Sequence, residues 1–95
     1  MTEKLILKIY IAGMTPAALR ALRNLREICE SFRDDGNFDI SVIDILQHPQ
    51  LAEDEKILAT PTVVRSLPPP IRKLVGDLTD REQAILGLDL VAVDE

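Results

Sequence analysis

The chain has 95 residues, enough for one domain built on one modest core. Its 46% apolar content includes just three aromatic residues, Tyr10, Phe32 and Phe38, so Leu, Ile and Val must fill that core. A net charge of −5 argues against free nucleic acid or an anionic membrane as a partner, and a single cysteine excludes an intramolecular disulfide or a multi-cysteine metal site.

No stretch reaches the ~18 uninterrupted apolar residues of a membrane helix. The start, Met1-Thr2-Glu3-Lys4, does not read as a signal peptide, because the apolar stretch after it contains Lys8 and runs into a helix signal. These features predict a single cytoplasmic domain spanning residues 1–95.

Leu5 to Ala12 reads as a strand. Leu5, Leu7, Ile9 and Ile11 alternate on one face, and Ile6 and Tyr10 share the other with Lys8. Apolar side chains on both faces predict a central, covered strand, ended by Gly13. Thr15-Pro16 then supplies an N-cap and a first-turn proline for a helix. Its buried stripe is predicted as Ala18, Leu22, Leu25, Cys29 and Phe32, with Ala21 and Ile28 alongside. Asp34-Asp35-Gly36-Asn37 is a turn.

Phe38 to Leu46 alternates and then runs apolar at Val42-Ile43, which predicts a second strand becoming buried on both faces. The long helical connection between the two strands favours a parallel pair. A short, polar helix is expected over Leu51 to Leu58, and a third strand over Thr62 to Ser66. Leu67-Pro68-Pro69-Pro70 is a stiff connector to a fourth strand, Ile71 to Val75, hairpin-paired to the third. Thr79-Asp80-Arg81-Glu82 reads as a capping box with Thr79 as N-cap, opening a helix to about Leu86 or Leu88. Leu78, Ile85, Leu86 and Leu90 are assigned to the core, and Val91 to Glu95 to a frayed tail.

The order β-α-β-α-β-β-α, an α/β fold with a four-strand mixed sheet between helices, is the thioredoxin order. Thioredoxin-like folds place a cis-proline where Thr60-Pro61 enters the third strand, beside a Cys-x-x-Cys. Here Met14 and Ala17 stand where those cysteines would be, so the site points toward binding rather than redox chemistry. Cys29 lies on an apolar helix stripe and reads as core. His48 is the only histidine and sits in a loop, which gives no support to a metal site. Asp44, near the end of an apolar strand, reads as a turn cap ahead of a salt bridge or an acid–base group. The loop Gly13-Met14-Thr15-Pro16 is a weak anion candidate, since Pro16 removes a donor. No catalytic set and no cofactor site emerges.

Long motifs resemble the circadian-clock protein family KaiB. They are Leu7-Lys8-Ile9-Tyr10-Ile11-Ala12-Gly13, Thr15-Pro16, Arg20-Ala21-Leu22, Val42-Ile43-Asp44-Ile45-Leu46 and Pro49-Gln50-Leu51-Ala52-Glu53. They continue with Lys56-Ile57-Leu58-Ala59-Thr60-Pro61-Thr62, Leu67-Pro68, Pro70-Ile71-Arg72, Gly76-Asp77-Leu78-Thr79-Asp80-Arg81-Glu82 and Gly87-Leu88-Asp89-Leu90.

The resemblance implies a metamorphic protein with a thioredoxin-like state, expected to be monomeric, and a ground state that assembles as a tetramer. It implies that the thioredoxin-like state binds the hexameric ATPase KaiC, capturing KaiA and displacing a thioredoxin-like sensor domain of a histidine kinase. Matching positions make Arg20 and Lys56 the partner-facing candidates, with Ala52, Glu53 and Ile57 around them. Gly87 and Asp89 match fold-switch positions, and Pro61, Pro68 and Pro70 fall in or beside the segment that refolds. A cis Thr60-Pro61 bond would fit the thioredoxin-like state and a trans bond the other.

Asp39 and Ser41 stand where clock members carry an uncharged residue and a lysine, Leu5 replaces a common tyrosine, and the acidic tail is short. The altered charge on the second strand argues against a KaiA role and for a divergent paralogue. The expected function is a non-enzymatic regulator of a KaiC-like ATPase. The alternatives are a thioredoxin-like adaptor or stress-response module with another partner, and a thiol-disulfide enzyme. Local signals at Thr79–Glu82 and Ile71–Val75 agree with the thioredoxin-like state.

Overall fold

A computed structural model describes residues 3–90. The elements are β1 (Leu5–Ile11), α1 (Pro16–Phe32), β2 (Phe38–Asp44), α2 (Pro49–Asp54), β3 (Thr62–Leu67), β4 (Arg72–Val75) and α3 (Arg81–Gly87). The strands form one sheet in the order β2-β1-β3-β4. β1 pairs with β2 in parallel and with β3 antiparallel, and β3–β4 is an antiparallel hairpin. This is the thioredoxin-like α/β fold with a four-strand mixed sheet that the element order predicts. The tail at Val91 to Glu95 lies outside the described residues.

Alternation along β1 explains why it is central. Leu5, Leu7, Ile9 and Ile11 enter one apolar cluster with Ala18, Ala21, Leu25, Ile28 and Cys29 of α1, and with Ala84 and Leu88. The opposite face carries Tyr10 and Val64, both buried outside that cluster. Burial first, and the Glu55 carboxylate second, push the Tyr10 phenol upward from its ordinary value. α1 and α3 therefore cover one face of the sheet, and the chain just after α2 reaches the other.

Several expectations are corrected. The α1 stripe is centred on Ala21, Leu25 and Ile28, while Leu22 and Phe32 are only partly buried at its margins. β2 is an edge strand rather than one buried on both faces. It pairs with β1 alone, and Val42 is 44% exposed because the core packing reaches Phe38 and Ile40 and stops there. Leu86 is 69% exposed, whereas Leu78, Ile85 and Leu90 do meet the core. α2 begins two residues earlier than expected, with Pro49 in its first turn, and ends four residues earlier, before Lys56 at φ 57°.

The N-cap of α3 is Asp80, whose carboxylate accepts from Gln83 N at 3.1 Å. Thr79 is drawn away by Asp77, whose Oδ1 accepts from both Thr79 N and Thr79 Oγ1. Two acidic residues with competing cap geometry thus shift the helix start by one. The Thr60–Pro61, Leu67–Pro68 and Pro69–Pro70 bonds are cis.

Candidate functional site

The sheet end formed by the C-termini of β1 and β2 is assembled by Asp44. Its Oδ1 accepts from Gly13 N at 3.2 Å and from Leu46 N at 3.0 Å, while its carbonyl accepts from Gln47 N and His48 N. One carboxylate therefore fixes the β1–α1 loop against the turn that leads into α2, the capping role its position predicts. Thr15 completes the loop by accepting from Ala18 N at 3.1 Å.

α2 has no buried residue. Its shape comes from its own backbone and from Gln50 Nε2 donating to Asp54 at 2.8 Å. At its C-terminus Ile57 N donates to Ala52 O at 2.9 Å and Lys56 N to Glu53 O at 3.1 Å. This crossed pair is a Schellman motif, which demands a left-handed residue where Lys56 stands. Ala52, Glu53, Lys56 and Ile57, four of the five predicted partner residues, are therefore joined by direct backbone bonds. Glu53 and Lys56 are exposed and the other two half-buried. Leu58, next in the chain, is 96% exposed, and Leu46 and Leu51 are 70% and 43% exposed. A segment whose conformation is fixed while its apolar side chains face solvent has the character of an interaction surface.

Arg20, the fifth, is differently placed. Its Nε donates to Asp77 Oδ2 at 3.0 Å, linking α1 to the loop between β4 and α3. Hydrogen bonds from Thr79 and then Arg20 hold the Asp77 carboxyl down at about 2.

The positions implied for fold balance lie elsewhere again. Pro61 is buried at the entry to β3. Pro68 and Pro70 lie in the β3–β4 connector. A Cβ on Gly87 would come within 3.0 Å of the Leu74 side chain, so α3 approaches β4 closely there. Asp89 occupies a second Schellman motif at φ 53°, with Leu90 N donating to Ile85 O and Asp89 N to Leu86 O.

A residue that sequence reasoning missed organises this region. Arg65 of β3 is 4% exposed, and its guanidinium donates to Asp89 O at 2.9 Å and Pro70 O at 2.7 Å. Arg72, its cross-strand partner, lies 3.9 Å from the Asp89 carboxylate. The sequence carries half of the signal: Arg65 is the lone charge of β3, directly after Val63-Val64, while the fold alone brings its acceptors to it.

Cys29 is fully buried, and burial pushes its thiol up to about 12, which leaves it protonated and inert. Met14 and Ala17 sit on the β1–α1 loop and the first turn of α1. His48 caps α2 without a side-chain bond. Among the described residues no cluster of three metal-ligating side chains occurs, and no helix is long and apolar enough to cross a membrane.

Comparison with known proteins places this arrangement. A thioredoxin-like relationship appears in solved structures: the N-terminal domain of SasA from Synechococcus elongatus superposes with a TM-score of 0.76 at 22% identity, covering 100% of this chain and 92% of that one. Mitochondrial thioredoxin 3 from Saccharomyces cerevisiae gives 0.71 at 13% identity, covering 95% and 81%. Both likenesses speak for the fold alone. Sequence similarity is far stronger to circadian clock oscillator proteins KaiB. That of Prochlorococcus marinus strain NATL2A is 58% identical over 87 residues, covering 90% of this chain and 79% of the relative. That of Trichodesmium erythraeum is 55% identical over 86 residues, covering 90% and 82%. Residues 8–90, which contain the Asp44 junction, α2 and both Schellman motifs, match the KaiB domain model. The chain belongs to the KaiB family.

Proposed function

We propose that this protein is a non-enzymatic regulator that binds a hexameric KaiC-like ATPase through α2 and the turn that follows it. The observation that carries the reading is the segment from Ala52 to Leu58. Its backbone is locked by a Schellman motif, Lys56 on it is exposed, and Leu58 stands 96% in solvent beside it. A preformed apolar surface with a charged centre binds with little ordering cost. The similarity to KaiB clock oscillator proteins supports a clock-type partner.

The thioredoxin-like monomer is the binding form in this reading. The reading assigns no KaiA role: Asp39 on the β2 edge is paired with Lys4 at 3.1 Å, and Ser41 offers no cation beside it, which argues against that partner. The reading includes no catalytic role, in keeping with the engagement of Asp44 Oδ1 by two backbone N–H groups and the burial of the Cys29 thiol.

Pull-down on an immobilised KaiC hexamer tests the proposal. Capture of the wild type and its loss in Lys56→Ala are expected. Absence of capture in every nucleotide state would overturn it.

A further inference from the structure

The resemblance places Arg20 among partner contacts, yet its guanidinium is committed within the molecule. Nε meets Asp77 Oδ2 at 3.0 Å across 57 residues of sequence. One turn further along α1, Asn24 Nδ2 donates to the carbonyl of the same Asp77 at 2.9 Å. The other carboxylate oxygen of Asp77 accepts from Thr79 N at 3.1 Å and Thr79 Oγ1 at 2.6 Å. Asp77 is thus a hub with every side-chain oxygen occupied, fastened to α1 twice and to its own loop twice.

The loop it fastens, residues 76–80, leads directly into the Asp80 cap of α3. The loop is not held by close packing along its length. Leu78 is buried, but a cleft of about 260 Å³ opens among Leu74, Gly76, Asp77, Thr79, Asp80 and Gln83. Apolar support comes from one loop residue, Gly76 N donates to Pro61 O at 2.9 Å at its start, and Arg81 at the head of α3 donates to Ser31 Oγ at 2.6 Å. Between those two ends the bonds of Asp77 to α1 hold the loop.

We infer that Arg20, with Asn24, is a positioning residue that latches the β4–α3 loop through Asp77, and so sets α3 in place, rather than a residue that touches the partner. The consequence for binding rests on the function proposed above; the latch itself does not. The pair is half-exposed, with side-chain exposures of 48% and 28%. A pair of this kind shifts a local opening equilibrium by about threefold to fivefold, and salt screens it.

Three variants decide the question: Arg20→Ala, Asp77→Asn and the double substitution. An asparagine at 77 turns its oxygen to the Thr79 donors and its NH₂ to the guanidinium, so the latch breaks while the turn survives. Two readouts are needed. Amide hydrogen exchange at Ala84 and Leu88 reports the seating of α3, and affinity for a KaiC hexamer reports function. Exchange at both amides is expected to rise about threefold to fivefold in either single variant, with no further rise in the double, and the gap to wild type is expected to narrow in 1 M salt. Affinity is expected to fall to the same extent in Arg20→Ala and Asp77→Asn. Unchanged exchange in the single variants would overturn the latch. Wild-type affinity in Asp77→Asn with weakened Arg20→Ala would return Arg20 to the interface. If the wild type itself fails to bind KaiC, the functional proposal falls and the exchange arm still judges the latch.

Discussion

Truncating Arg65 to alanine removes the cation that joins β3, the proline connector and the end of α3. Its two bonds, 2.9 Å to Asp89 O and 2.7 Å to Pro70 O, are charge-assisted and part-buried, with the Arg65 side buried. Each acceptor left without a donor represents about 1.5–3 kcal/mol. Releasing a cation from the interior offsets part of the sum, since desolvation opposes any buried charge. Loss of the packed alkyl stem adds to it again. The net expectation is a fall of about 3 kcal/mol in unfolding free energy, or a drop of roughly 12–20 °C in Tm for a domain of this size. Arg65→Met keeps the stem and abandons only the polar bonds, and it should recover about 1 kcal/mol of the loss. Urea denaturation of the three proteins, followed by circular dichroism at 222 nm, measures both differences. An Arg65→Ala protein within about 0.5 kcal/mol of wild type would refute the claim that this guanidinium holds the C-terminal half together.

Three further outcomes are expected. Lys56→Gly should stabilise the protein by about 0.5–1 kcal/mol in the same urea assay, because glycine takes the left-handed Schellman position without the steric penalty lysine carries; a destabilised variant would contradict the turn geometry. Cys29 should resist a thiol reagent until the protein unfolds, since its thiol is buried and pushed up to about 12; labelling faster than global unfolding would show an accessible site. Asp77, held down at about 2 against an ordinary 3.8, stabilises the folded state fully above pH 3.8 and loses that contribution as pH falls toward 2. Asp77→Asn should therefore flatten the acid limb of the stability curve below pH 3.8 and leave its slope at neutral pH unchanged, as read by thermal melts across that range.

Much of the fold was legible in the chain. Two-sided apolar alternation from Leu5 to Ile11 marked the central strand, and the spacing of Ala18, Leu25 and Cys29 marked a helix packed on it. Those signals depend on burial alone, which sequence patterning records directly. The failures share a different origin. Val42-Ile43 looks like a covered strand, but exposure depends on where α1 stops covering β2, a tertiary fact. Thr79 has the local sequence of an N-cap, but Asp77 engages the Thr79 hydroxyl and Asp80 accepts from Gln83 N, which settles the start one residue later. Leu86 fits the helical period and still faces outward, because a seven-residue helix on the sheet margin presents only a narrow inner face.

The candidate site divides in the same way. The family resemblance picks out Lys56, with Ala52, Glu53 and Ile57 around it, and the Schellman motif makes that grouping physical. Arg20 was assigned by analogy of position, but its bond to Asp77 spans 57 residues and no local pattern announces it. Arg65 went unnoticed because a charge inside a strand is interpretable only once the Asp89 and Pro70 carbonyls that receive it are located.

α2 and its C-terminal turn are the surface proposed to engage a KaiC-like ATPase. Amide chemical-shift mapping on the labelled protein, titrated with unlabelled KaiC hexamer, tests it most directly. Perturbed or broadened amides are expected to concentrate between Gln50 and Leu58 and along the adjoining Gly13 and Leu46 backbone, and Lys56→Ala is expected to abolish the pattern. Perturbation confined to the β2 or β4 edge, or a spectrum unchanged at saturating KaiC in every nucleotide state, would contradict it.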